Sequence, residues 1–139
     1  MRYWDSSAII PLLLKEPQTA AVQGLYERDS QLVVWSLTEV EIASALARRM
    51  RQGFDTRALE RARRELSKLA DRWGEISALL PVRARALRLV NTHVIRAADA
   101  MQLAAALVAS DERPESLPFV SLDDRLNDAA RKEGFPVFP

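Results

Sequence analysis

Short apolar runs alternate with longer stretches of helical period from one end of the chain to the other. Met1 to Asp5 is short and rich in aromatic residues, breaks at Ser6-Ser7, and gives way to the apolar stretch Ala8 to Leu14. That pattern predicts a strand followed by a helix, with Asp5 at the strand's C-terminal end. A second helical segment covers about Thr19 to Arg28, and Leu32 to Trp35 reads as a second buried strand. Ser36-Leu37-Thr38-Glu39 has the spacing of a capping box, which would start a helix running to about Arg51. Gly53 and Asp55 punctuate a turn. The next helix spans about Thr56 to Trp73, with Leu59, Leu66 and Leu69 on one side and arginines on the other. Ile76 to Pro81 supplies a short third strand, then two helices follow, about Val82 to Asn91 and the alanine-rich Ala97 to Ser110. After a loop with two prolines, Phe119 to Leu122 gives a fourth strand, Asp124 to Glu133 a last helix stopped by Gly134, and Pro136 to Phe138 a fifth strand at the edge. Short apolar strands alternating with helices imply an α/β fold whose parallel sheet is covered on both faces. No repeat or linker interrupts residues 1–139, which read as one domain.

Composition narrows the chemistry. With 139 residues and 48% apolar side chains the chain can build a core without a staple. It has no cysteine and one histidine, His93, so thiolate nucleophiles, sulfur-bound zinc and most histidine-based metal sites are excluded. Any metal must be held by oxygen. The start, Met-Arg-Tyr-Trp-Asp, has neither the layout of a signal peptide nor that of a spanning helix, and the expectation is a soluble cytoplasmic protein with no membrane association. The net charge of +1 conceals a skew: nearly all cations are arginine, and many fall between Arg48 and Arg96. Arginine is the better planar partner for phosphate, but arginine-rich solvated helices are equally common.

In open parallel sheets, ligands bind outside the carboxyl ends of the strands, where the strand order reverses. That rule ranks the acids. Asp5 ends the first strand and Asp123 the fourth, Glu41 lies in the first turns of the helix after the second strand, and Asp99 lies near the start of the alanine-rich helix. Two carboxylates 4 Å apart repel by about 4 kcal/mol at an effective dielectric constant near 20, so four together call for a cation. Magnesium or manganese suits all-oxygen ligands, and such an ion serves phosphodiester hydrolysis. Each acid also has a structural reading: Asp5 can open an Asx turn, Asp123 can cap the last helix, and Asp99 can complement a helix N-terminus. Glu39 and Glu41 stand about 200° apart on a helix, so only one faces the strand ends; the capping box accounts for Glu39, leaving Glu41 for the site. Ser7 and Ser121 are candidates to orient the carboxylates, or simply turn formers. His93 reads as a helix-end or surface residue.

Four segments, Tyr3-Trp4-Asp5-Ser6-Ser7-Ala8, Ser36-Leu37-Thr38-Glu39-Val40-Glu41, Arg96-Ala97-Ala98-Asp99-Ala100-Met101-Gln102-Leu103-Ala104 and Val120-Ser121-Leu122-Asp123-Asp124-Arg125-Leu126, occur in an order and at spacings that resemble the PIN-domain family, specifically the VapC-type toxins of bacterial toxin–antitoxin pairs. The resemblance runs almost end to end. It implies a three-layer α/β/α sandwich around a mostly parallel sheet of four to five strands, magnesium- or manganese-dependent cleavage of RNA, a homodimer, and inhibition by a cognate VapB-like antitoxin. Carried over by position, Asp5, Glu41, Asp99 and Asp123 would be the acidic set, with Asp5, Asp99 and Asp123 as metal ligands. Gln102 stands where many relatives carry histidine, and Asp124 beside Asp123 leaves two candidates for the last acid. Arg48, Arg49 and Arg96 could hold flanking phosphates of RNA or lie on solvated helix faces. Competing readings are a phosphoacceptor receiver domain, whose paired acids after the first strand and late lysine are poorly matched by Asp5-Ser6-Ser7 and Lys132, a haloacid-dehalogenase-type phosphatase, which would want aspartate at position 7, and a PIN domain without catalysis that only binds RNA or protein.

Overall fold

The computed structural model describes all residues from Met1 to Pro139. Five strands, β1 (Arg2–Trp4), β2 (Leu32–Trp35), β3 (Gly74–Ile76), β4 (Phe119–Val120) and β5 (Val137–Phe138), form one sheet in the order β3-β2-β1-β4-β5. Every neighbouring pair is parallel. Seven helices connect them: α1 (Ser6–Leu13), α2 (Thr19–Arg28), α3 (Thr38–Arg51), α4 (Thr56–Ala70), α5 (Leu79–Thr92), α6 (Ala97–Ala109) and α7 (Asp124–Lys132).

The period of two along each strand divides the core into two. Trp4, Leu32, Val34 and Val120 turn toward α1–α4, where they pack with Ile9, Val22, Ile42, Leu59 and Leu66. Tyr3, Val33, Trp35 and Phe119 turn the other way, onto Val82, Leu89, the buried face of α6, Leu126 and Ala130. Successive side chains of a strand point to opposite faces, so a strand buried on both sides must be apolar at every position. The result is the three-layer α/β/α sandwich, with a fully parallel five-stranded sheet. The alanines of α6 let that helix lie close against the sheet: Ala100, Ala104, Ala105 and Ala106 are all inaccessible to solvent.

Several boundaries differ from the sequence pattern for local reasons. The Ser36 capping box does not form. Leu37 occupies the N-cap of α3 without a side-chain bond, and the Ser36 hydroxyl donates instead to the carbonyl of Ile76 at 2.9 Å, bridging the ends of β2 and β3. The third strand comes before Ile76 rather than after it, and Pro81 lies inside the first turn of α5, where a missing N–H costs no helical bond. Gly134 is where the pattern puts the end of α7: at φ +101° it lets the Phe135 amide return to the carbonyl of Ala130. No helix is long and apolar enough to cross a membrane.

Candidate active site

The order β3-β2-β1-β4-β5 places the reversal of strand order between β1 and β4. The crevice at their carboxyl ends is where such a sheet presents a site. Asp5 follows β1 directly and is only 4% exposed. It serves as N-cap of α1, its Oδ2 accepting from the Ser7 amide at 3.1 Å and from the Ser7 hydroxyl. Ser121, at the end of β4, donates to the same oxygen at 3.4 Å. The two serines stitch the strand ends together: the Leu122 amide donates to Ser7 Oγ at 2.9 Å, and the Asp123 amide to Ser121 Oγ at 3.1 Å. Asn127 of α7, also buried, donates to the Ser121 carbonyl at 3.0 Å. Thus the Asx-turn geometry and the site geometry of Asp5 coexist, and its Oδ1 takes no hydrogen bond.

Glu41, half-buried in the first turn of α3, is held at both oxygens. Ser6 Oγ donates to Oε2 at 2.9 Å, and Gln102 Nε2 to Oε1 at 3.1 Å. Glu39 is exposed, so the choice of Glu41 stands although the capping-box reason for it does not. Asp99 is the third residue of α6 and half-buried, with Oδ2 reached by the Arg96 amide at 3.4 Å. Asp123 caps α7, its Oδ1 accepting from the Leu126 amide at 2.9 Å. Asp124 is exposed. Arg96, Asp99, Asp123, Asp124 and Arg125 line one open cleft of ≈ 390 Å³.

The acids are close enough to feel one another. Burial pushes Asp5 up from 3.8 to about 6, against the bonds from Ser7, and the charges of Glu41 and Asp99 push in the same direction. Glu41 is raised by burial and by Asp99, against the bonds from Ser6 and Gln102. Asp99 is raised by burial and then by Asp123, with Arg96 and Arg125 partly offsetting both. The site concentrates negative charge, with Arg96 and Arg125 at its rim. Among Asp5, Asp99 and Asp123, each carboxylate keeps one oxygen free of hydrogen bonds, whereas Glu41 keeps none. No three acidic or histidine side chains are gathered tightly enough to enclose an ion by themselves. Magnesium does not require that: it retains several waters and binds through one or two carboxylates. The donor set therefore fits a hard divalent ion held partly through water.

The predicted arginines separate. Arg96 stands at the cleft as N-cap of α6. Arg48 and Arg49 lie in the last turn of α3, about 10 Å along the helix from Glu41, and Arg49 is paired with Glu16. Arg125, beside the acids and free of any ion pair, is a cleft residue that the sequence pattern does not single out; its place next to two aspartates is the available signal. Tyr3, Thr38, Ser6 and Asn127 carry no local signal. His93 ends α5 with its side chain buried against Glu133 at 2.7 Å, outside the acid cluster.

A family model for the PIN domain matches residues 2–132. The chain belongs to the PIN domain family. PIN domains are generally metal-dependent nucleases, which sets aside the receiver and phosphatase readings; Lys132, the lysine a receiver would need, is paired with Asp128 on the surface of α7. Among solved structures, the crystal structure of PAE2754 from Pyrobaculum aerophilum is similar, at 22% identity and a TM-score of 0.67 over 93% of this chain and 86% of that one. That likeness is one of fold. No curated protein matches the chain.

Proposed function

We propose that this PIN domain is a metal-dependent endoribonuclease, the toxin of a toxin–antitoxin pair, hydrolysing phosphodiester bonds of tRNA or rRNA with Mg2+ or Mn2+. The observation that carries the reading is the set of three carboxylates, Asp5, Asp99 and Asp123, each with an oxygen left free, at the carboxyl ends of β1 and β4. Those three would hold the ion. When bound, it supplies charge neutralisation at the phosphate and acidified water for in-line attack. The chain supplies the rest. Ser7 and Ser121 fix Asp5, and Glu41, held by Ser6 and Gln102 and electrostatically coupled to Asp99, would orient the attacking water. Arg96 and Arg125 flank Asp99 and Asp123 in the same cleft and would take the phosphates on either side of the cut.

Surface chemistry supports the partners proposed with this reading. Leu80, Leu87 and Val90 of α5, with Val94 just beyond it, are 63%, 62%, 40% and 86% exposed and recur on one side of the helix, which supports a homodimer. Leu37, Val40, Met50 and Phe54 form a second exposed apolar set along α3 and the turn after it, which supports docking of a VapB-like antitoxin. A cytoplasmic location accompanies this role.

The test is cleavage of a mixed tRNA and rRNA pool in Mg2+ or Mn2+, run against chelator and against an Asp99→Asn variant of verified fold. Discrete fragments that vanish in both controls are expected. Equal cutting by the variant would remove the site from the proposal; failure of the wild type on every RNA offered would favour a domain that only binds.

A further inference from the structure

Gln102 lies beneath the acids, 1% exposed, in the second turn of α6. Its amide is fully used. Nε2 donates to Thr38 Oγ1 at 3.0 Å and to Glu41 Oε1 at 3.1 Å, while Oε1 accepts from the Tyr3 hydroxyl at 2.7 Å. Tyr3 and Thr38 are themselves inaccessible to solvent. The three partners come from β1 and α3, so this one side chain ties α6 to the central strand and to the helix that carries Glu41.

An amide can sit two ways round with almost the same shape, and its partners decide between them. In the reverse orientation Oε1 would face the Glu41 carboxylate, two acceptors in a buried place with no hydrogen between them. Leaving such groups unpaired costs about 1–3 kcal/mol. Reversal would also take away the Gln102 oxygen, the acceptor of the buried Tyr3 hydroxyl proton, and set the Nε2 hydrogens against that hydroxyl instead.

We infer that Gln102 is a positioning residue for Glu41, and that the Tyr3 hydroxyl, remote from any substrate, fixes which way round the Gln102 amide faces. The contact is independent of activity, but its consequence for turnover rests on the nuclease reading. A neutral amide suits this role because it donates to Glu41 without adding a charge to a cluster that has to receive a cation.

The experiment compares wild type, Tyr3→Phe and Gln102→Leu by NMR of the carboxyl carbons, with the Glu41 resonance assigned by its loss in Glu41→Gln, and by RNA cleavage. Both substitutions are expected to displace the Glu41 resonance while leaving that of Asp99 in place, and to lower kcat about tenfold with KM within about twofold. A purely structural role would not single out one carboxylate. If Tyr3→Phe fails to fold, Gln102→Leu alone carries the test. A Glu41 resonance unchanged in every folded variant overturns the inference, as does an unchanged kcat in variants that fold. Should the wild type cut no RNA while the Glu41 resonance still moves, the positioning role stands and the nuclease reading is what fails.

Discussion

The two walls of the acidic cleft are built by different means. Asp5 and Glu41 are gripped by side chains, the first by Ser7 and Ser121 in addition to the Ser7 amide that it caps, the second by Ser6 and Gln102, and these partners bring together β1, α1, α3, α6 and the end of β4. Asp99 and Asp123 are gripped by helix N-termini, through the amides of Arg96 and Leu126, and have arginines at their rim. Side-chain clamps on a sheet floor hold a carboxylate rigidly at the cost of burying it. Helix caps leave it nearer to solvent and free to draw toward an ion. The difference assigns a fixed side and an adjustable side to one cleft, and each can be tested separately.

Substituting Asp5 should give the largest effect. Asp5→Asn is expected to lower cleavage by about a thousandfold, measured as kcat, and at the same time to raise the thermal midpoint of the metal-free protein near pH 7.5. The sign follows from the raised pKa. A folded carboxyl at about 6 against an ordinary 3.8 contributes stability that is fully present below pH 3.8 and is lost as pH rises through 6. The buried charge then costs about 3 kcal/mol, an amount that Asn avoids and that a bound cation offsets. A midpoint that falls in Asp5→Asn at pH 7.5 and is insensitive to Mn2+ in the wild type would show that this wall is structural.

Asp123 separates cap from site. Asp123→Ser keeps the N-cap and removes the charge, so cleavage should drop by about a hundredfold with the thermal midpoint unchanged, whereas Asp123→Ala should also lose about 1 kcal/mol in urea titration. Equal activity in Asp123→Ser and wild type would leave Asp123 as a cap alone and turn attention to Asp124. Smaller again is the dependence on proton concentration. Because Asp5, Glu41 and Asp99 all sit above the usual carboxylate range, kcat/KM should fall by about tenfold per pH unit below the acid limb, with that limb moving to lower pH as Mn2+ is raised and competes for the same oxygens. A limb that ignores Mn2+ would contradict shared use of those oxygens. The smallest change expected is at the α5 stripe: under the proposed homodimer, Leu87→Glu should leave cleavage per site within about threefold while shifting sedimentation toward the monomer.

The sheet, the order of its elements and the four acids are legible in the sequence because each depends on short-range pattern: apolar triplets for strands, an acid at the end of a strand, an acid in the first turn of a helix. The clamps are not. Gln102 meets residues 61, 64 and 99 positions away, and Ser121 meets Asp5 across 116. No local rule reports such pairs. The Ser36 capping box misleads for the complementary reason, since a serine at a strand end has a neighbouring strand's carbonyl as an alternative acceptor, and Ile76 supplies it only once β3 is in place. Pro81 reads as the end of the third strand in the sequence because its position within the first turn of α5 depends on where that turn begins.

The placement of β1 between β2 and β4 also sets when the cleft can form. Tyr3 faces Phe119 across the sheet, the Asp5 amide bonds the Val120 carbonyl, and Ser121 completes the grip on Asp5. A chain made from its N-terminus has Asp5 from the outset but lacks the strand that seats it until residues 119–121 exist, and closing so long a loop is a late event in folding. Chains cut short before β4 therefore carry an incomplete, loosely held set of acids, and the cleft assembles only once residues up to Ser121 have been made.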